Sequence, residues 1–437
     1  MLIKEAVHYY SIIRDKFKNS YLAEDANQII IGIDCDYIDS YEYSYKTLEL
    51  FFSNQKAIAP FAGLFGIFSY ETIHFFEKIE KKEKSQFEFP QFVFANAKAY
   101  LHYSKISKMY TFYGDEEKYY NFLENESFTE KPAENEFFYK IETDLDKEKE
   151  HFYDIVEKAK EYIKMGDIFQ VVLSEQLCLE SNIDSLEFYK KLAKANPSPY
   201  MFHFPTKYGD VVGSSPEILA EILFNNIYIA PIAGTRPRGK DANEDAFLAQ
   251  DLLNDPKECA EHRMLVDLAR NDIGKFARQG SVIVKNMMHV KHYQHVMHIV
   301  SEVFGQKRND VSLFDIVSSV FPAGTLSGAP KIRAMEIIGE LEEYKRNIYG
   351  GGIGFLHFNG NMQLAIVIRS AFFANRNNAA YNISGKDTSE GNNVSKVFIQ
   401  AGAGIVYDSI KEKEYEEITH KRASVLNIFK NNCKERG

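Results

Sequence analysis

Two hydrophobic periods divide the chain. Phe152, Ile155, Val156, Ala159 and Ile163 recur at helical spacing and predict a helix over 148–165 that stops at Gly166-Asp167. Ile168-Phe-Gln-Val-Val-Leu-Ser174 then predicts a strand. Further helices are predicted over 185–195, 241–253, 256–267 and 410–431. Strands are predicted over 200–204, 210–213, 219–221, 227–230, 282–293, 363–371 and 397–407. Residues 1–140 carry short apolar runs instead, at Gln28–Cys35, Gly63–Glu71 and Phe92–Tyr100, and predict a strand-rich, irregular region. The acidic, lysine-rich stretch 128–149 is expected to connect it to a larger domain over 150–437. Polar, Asn-rich Asn375–Ser395 is expected to be a surface insertion between two strands. Strands and helices interleave without strict alternation, which predicts an α+β unit rather than a doubly wound parallel sheet.

One stretch has a different texture. Phe321-Pro-Ala-Gly-Thr-Leu-Ser-Gly-Ala-Pro330 is small and polar, and it runs into Lys331–Leu341, where Ile332, Met335 and Ile338 have helical spacing. Pro330 suits a first helical turn, with Ser327 or Gly328 as N-cap. Free N–H groups and the positive end of a helix dipole make such a junction a candidate cradle for a carboxylate or phosphate.

Charge narrows the partners. The 437 residues are 45% hydrophobic and 26% charged, as in globular proteins, with net charge −10. That balance leaves no electrostatic footprint for nucleic acid or an anionic membrane. An acidic protein that binds an anion must concentrate positive charge or a metal locally. The four cysteines are scattered, without CxxC spacing, so a reducing, cytoplasmic setting is expected. The N-terminal residues lack a signal-peptide apolar run, and no stretch reaches the roughly 18 apolar residues of a membrane span.

Two carboxylate pairs can supply the metal. Glu258 and Glu261, and Glu414 and Glu417, each lie three apart early in a predicted helix, which places each pair on one face. Facing pairs would form a hard oxygen site for Mg²⁺; alone, each pair reads as a solvated helix face. His298, in His292-Tyr-Gln-His-Val-Met-His, is a candidate acid or base or a core histidine. A zinc site from His292, His295 and His298 is disfavoured, because the three alternate faces on a strand. Arg369 ends an apolar strand, either paired with a structural acid or presented to a carboxylate. Tyr349, before a triple glycine, is a wall or a hydrogen-bond donor.

Five motifs in unbroken order resemble the chorismate-utilising enzymes, most closely the anthranilate synthase large subunits. They are Pro231-Ile-Ala-Gly-Thr-Arg-Pro-Arg-Gly239, Glu261-His-Arg-Met-Leu-Val-Asp-Leu-Ala-Arg-Asn-Asp-Ile-Gly274, Phe321–Lys331, Gly350-Gly-Gly-Ile-Gly354 and Gln400-Ala-Gly-Ala-Gly-Ile-Val406. The resemblance spans about residues 150 to 430. It implies a large two-sheet α/β sandwich with the strand-rich N-terminal region packed on it. It implies Mg²⁺ on Glu261 and Glu417, with Glu258 and Glu414 holding its waters. Around the chorismate carboxylates it implies Thr325, Ser327, Tyr349, Arg369, Gly402, Ala403, Gly404 and Lys421, with His298 near the ring. Glu258 is the expected proton donor to the departing 4-hydroxyl, and His298 the expected base.

The attacking group follows from two positions. Similar enzymes that add water carry a lysine where Gln170 stands, and aminodeoxychorismate synthases carry one where Ala233 stands. Alanine cannot attack, and glutamine cannot deprotonate water at neutral pH. Ammonia is therefore the expected nucleophile, supplied by a separate glutamine amidotransferase subunit in a heterodimer or heterotetramer. Asn196-Pro-Ser-Pro-Tyr-Met201 resembles the family's tryptophan-inhibition motif. Its partner stands here as Leu22-Ala-Glu-Asp25, with Asp where the family pattern has Ser. The implied inhibitor residues are Glu24, Asp25, Pro199, Tyr200 and Met201. Competing readings are aminodeoxychorismate synthase, isochorismate or salicylate synthase, and a non-catalytic binding subunit.

Overall fold

The structure, a computed structural model, describes residues 2–123, 136–293, 296–375 and 394–436. Among the described residues two large sheets face each other, one of twelve strands and one of ten. The first is antiparallel apart from its Lys434–Glu435 edge, which runs parallel to Phe138–Ile141. At its centre Gln170–Ser181 and Ser395–Ile405 pair along their whole length, from Ser181 opposite Ser395 to Val171 opposite Ile405. The second sheet is antiparallel and carries Ile218–Leu223, Met362–Ile366 and Gly352–His357 side by side. The N-terminal strands extend both sheets. Tyr21–Glu24 pairs with Tyr200–Thr206 in the first, and Gly63–Phe68 pairs with Gly352–His357 in the second.

Aromatic side chains fill the space between the sheets. Tyr21 stacks on Phe65 and Phe87 on Phe372, each at 4.4 Å between ring centres. Rings of this size each bury a large apolar area, which suits a chain with 34 Phe, 27 Tyr and no Trp. On the outer face of the first sheet, Phe188 of helix Ser185–Ala195 and Phe429 of helix Lys411–Asn432 pack against Phe373.

Local chemistry explains most helix ends. The Asp144 side chain accepts from Lys147 N at the start of Leu145–Met165, and Gly166, at φ 82, ends it in the left-handed conformation. Asp255 caps Pro256–Gly274, with Pro256 in the first turn. That helix runs seven residues past its predicted end at Asp267, because Val266, Ala269 and Ile273 keep its buried stripe going.

Other expectations are corrected. The chain opens on a helix, Leu2–Lys16, where an irregular strand-rich region was expected; Ala6, Tyr10 and Ile13 are its buried face. Helix Leu313–Val320, closed by a Ser312–Asp315 capping box, and strand Val296–Gln306 are both additional. The predicted N-cap at Ser327 or Gly328 is not used. Gly328–Ala329 pairs with Val171 and Gln170, and Pro330 itself precedes the helix Lys331–Leu341 with no side-chain cap. Most of the expected insertion Asn375–Ser395 lies outside the described residues, as does the expected connection as far as residue 135.

Candidate active site

The site gathers where the central strand pair of the first sheet ends near the Gly324–Leu326 turn. Thr325 lies on that turn, and its hydroxyl donates to Glu217 Oε2 at 3.4 Å. A cavity of about 40 Å³ under the turn is bounded by Glu217, Thr325, Gly324, Asp272 and Pro231. Glu217 follows Ser214-Ser-Pro, and its backbone is locked to the second sheet through Ile366 N and the Ser215 hydroxyl. Burial pushes the Glu217 carboxyl up, while Arg369, Lys421 and the Thr325 hydroxyl pull it back. Sequence reasoning missed Glu217. It is a single acid between a proline and an apolar strand, with no spacing partner to draw attention to it.

Arg369 follows the strand Met362–Ile366 at φ 51, a left-handed conformation uncommon for an arginine. Burial holds its basicity below the usual arginine range, opposed by Glu217, Tyr349 and Glu417. Among the described residues its guanidinium has no hydrogen-bond or ion-pair partner. Such a cation, with Glu217 as a nearby counter-charge, is a candidate receptor for an anion.

Lys421 reaches the same place from the last helix, donating to Gly402 O at 2.9 Å and pairing with Glu417 at 2.6 Å. Two glycines make room for neighbouring groups. A Cβ at Gly402 would stand 2.9 Å from the Tyr349 hydroxyl, and one at Gly404 would stand 2.6 Å from Gln170 Nε2. Ala403, between them, faces the opposite side of the strand and is buried. Ser327 is also wholly buried, and its hydroxyl donates to Ala323 O at 3.0 Å, so it locks the loop from within.

His298 stands on strand Val296–Gln306 opposite Thr235. Its Nδ1 is 2.8 Å from Gly234 O, an acceptor, so Nδ1 carries the proton and Nε2 is left with its lone pair. Burial lowers its pKa, the Gly234 carbonyl opposes this, and Arg369 and Lys421 lower it further. His292 lies on the neighbouring strand, whereas His295 lies outside the described residues.

The carboxylate pairs enter from two helices. Gln170 Nε2 donates to Glu261 at 2.7 Å, while Gln170 Oε1 is buried without a partner. Burial and the Glu261 charge raise Glu258. Burial also raises Glu414; the Ser409 hydroxyl lowers it, the Glu417 charge raises it, and Lys257 from the opposite helix lowers it. Each pair sets two like charges side by side on hard oxygen donors, partly offset by Arg236 near Glu258 and by Lys421 on Glu417. Among the described residues no three His, Cys, Asp or Glu side chains converge closely enough to hold a metal unaided. Two separate carboxylate pairs fit Mg²⁺, which takes one or two carboxylates and keeps waters or substrate oxygens.

A second pocket, of about 30 Å³, opens between the sheets beside Tyr21–Glu24. Glu24, Asp25, Tyr200, Met201, Phe355 and Gln363 bound it, and Pro199 stands one residue outside. Here the acids are committed. Glu24 is held by Lys105 at 2.7 Å and by the Tyr189 hydroxyl at 3.2 Å. Asp25 accepts from Asn27 N and Gln28 N and so closes the turn.

Comparison with known proteins agrees with the fold. A family model described as chorismate binding enzyme matches residues 14–427. The chain is 50% identical over 280 residues to anthranilate synthase component 1 of Acetivibrio thermocellus, covering 64% of this chain and 52% of that protein. It is 40% identical over 383 residues to the protein of the same name from Methanothermobacter marburgensis, covering 87% and 78%. It spans about half the length of curated relatives such as the A. thermocellus protein. The crystal structure of anthranilate synthase component I from Streptococcus pneumoniae TIGR4 superposes with a TM-score of 0.72 at 30% identity, covering 93% of this chain and 92% of that one.

Proposed function

The chain belongs to the chorismate binding enzyme family, and from that premise we propose that it aminates chorismate to anthranilate and pyruvate. The observation that carries this reading is the gathering of Arg369, Lys421 and the Thr325 hydroxyl around Glu217, two cations and a donor suited to a carboxylate. Chorismate has two carboxylates. Arg369 with Tyr349 takes one, and Thr325 with Lys421 and the backbone at Gly402–Gly404 takes the other.

Ammonia is the nucleophile in this reading, because Ala233 and Gln170 offer neither an attacking amine nor a base for water. The unpartnered Gln170 Oε1 accepts a hydrogen bond from ammonia and holds its lone pair toward the ring. As ammonia bonds to C2, the double bonds shift, the C4–O bond breaks with the hydroxyl leaving as water once protonated, and the new C2 ammonium gives a proton to solvent. A carboxylic acid must protonate the leaving hydroxyl. Glu258 is the expected donor, and Glu217 is a second candidate, since burial pushes its carboxyl up and it lies against Thr325. His298 Nε2 then removes the C2 proton, the C3–O bond breaks with its electron pair going to the enolpyruvyl oxygen, and the departing enolate takes a proton at its methylene carbon to become pyruvate as the ring becomes aromatic.

Glu261 and Glu417 would hold Mg²⁺, with Glu258 and Glu414 on its waters. The bound ion supplies charge stabilisation for the carboxylate and the leaving group. In the same reading a separate glutamine amidotransferase subunit delivers the ammonia, and the pocket at Glu24 and Tyr200 takes tryptophan as inhibitor. Replacing Glu261→Gln tests the site. Ammonium-dependent anthranilate formation should disappear, and near-normal activity with Mg²⁺ would reject the assignment.

A further inference from the structure

Arg346 is the largest wholly buried side chain of the described residues, 2% exposed, and lies three positions before Tyr349. Its Nε and Nη2 donate to the two oxygens of Glu342 at 2.8 and 2.5 Å. Nη1 donates to Leu326 O at 2.6 Å, and Nη2 also donates to Val172 O at 2.7 Å. Glu342 in turn accepts from both the backbone N–H and the hydroxyl of Ser174, at 2.8 and 2.7 Å. The guanidinium lies 4.7 Å from the ring centre of Tyr70 and 5.6 Å from that of Tyr349.

All of these contacts except the one with Tyr70 end on segments that bound the cleft. Leu326 sits between Thr325 and Ser327. Val172 is opposite Gly404 and Ser174 is opposite Gly402 in the strand register. One ion pair therefore fastens the Thr325 turn, the strand that carries Gln170 and the Tyr349 wall, which lie far apart in sequence. A buried ion pair is weak evidence for stability, since apolar residues of similar volume often replace both partners at no cost. Its planar fork does something apolar residues cannot, which is to fix two carbonyls and a carboxylate at set angles.

We propose that the Arg346–Glu342 pair positions the cleft, setting Thr325 and Tyr349 against Gly402–Gly404 without touching substrate. The proposal rests on reading the cleft as the chorismate site. Its consequence is kinetic. A loosened turn takes the Thr325 hydroxyl out of line with Glu217 and the substrate, and displacements near 1 Å cost about 100-fold in rate.

The test is the volume-matched double variant Glu342→Met/Arg346→Met, read by thermal melting, steady-state kinetics and crystallography. The expected result is a folded protein with a lowered melting temperature, because Leu326 O, Val172 O and Ser174 N–H lose their partners, with kcat lowered about 100-fold, the ammonium KM unchanged, and the Leu326 carbonyl displaced from Val172. A folded double variant with wild-type kcat and an unmoved turn overturns the proposal. Should the double variant not fold, Arg346→Lys carries the test, because it keeps the charge and loses the fork. It should lower kcat about 10-fold with a smaller loss of melting temperature than the double variant, and a wild-type kcat overturns the proposal. If wild-type protein makes no anthranilate, the reading of the cleft fails on its own, and displacement of the turn still decides the positioning.

Discussion

The Thr325 cleft and the Glu24 pocket are built on the same two strands and come out as opposites. Gly352–His357 and Met362–Ile366 give Ile353, Phe355 and Gln363 to the pocket. The segments just before and just after those strands give Tyr349 and Arg369 to the cleft. In the pocket every acid has a protein partner: Lys105 and Tyr189 for Glu24, and backbone N–H groups for Asp25. In the cleft Arg369 has none among the described residues, Gln170 Oε1 is unsatisfied, and two glutamate pairs face their own like charge. A pocket whose charges are settled can receive a ligand without changing protonation. A cleft whose charges are open is poised for an ionic substrate, a cation and proton transfer.

Substitutions should separate the two regions in a definite order. Arg369→Met removes the open cation and should lower kcat/KM for chorismate about 1,000-fold, measured by anthranilate release, with little change in melting. Glu217→Gln keeps the shape and removes the transferable proton, and kcat should fall about 100-fold. If Glu258→Gln falls as far while Glu217→Gln retains activity, the proton donor is Glu258. The pH profile tests His298. Burial puts its pKa below the usual 6.5, so kcat/KM should lose activity only as pH falls below that value, when the ring protonates. His298→Gln should abolish that acid limb. Thr325→Val removes one neutral donor from an otherwise intact turn and should lower kcat about 10-fold, less than when the whole turn and the Tyr349 wall shift. At the other end of the scale, Glu24→Gln in the settled pocket should leave kcat and chorismate KM unchanged. It should weaken tryptophan binding as read by calorimetry, and a loss of activity there would erase the distinction between the two regions.

The two regions also differ in what the sequence revealed. Regular amphipathic stretches such as 148–165 and 185–195 were legible because period and caps agreed. The carboxylate pairs were legible because spacing of three on a helix is a local property. The opening helix was not, since Tyr, Ile and Val are strand formers and only the spacing of Ala6, Tyr10 and Ile13 betrays it. Glu217 was not, because its significance lies in Thr325, Arg369 and Lys421, each far away in the chain. Ser327 looked like a presented hydroxyl and is turned inward, which depends on the β-pairing of Gly328–Ala329 with the strand that carries Gln170. Local patterns give elements and pairs; the settling or opening of a charge is decided by residues that only the fold brings near.

One measurement bears most directly on the open cleft as an amination site. Purified protein is supplied with chorismate, Mg²⁺ and ammonium near neutral pH, and the fluorescence of anthranilate is followed with pyruvate release. The account predicts equal amounts of anthranilate and pyruvate, dependent on ammonium. Isochorismate, or aminodeoxychorismate without pyruvate, would contradict it.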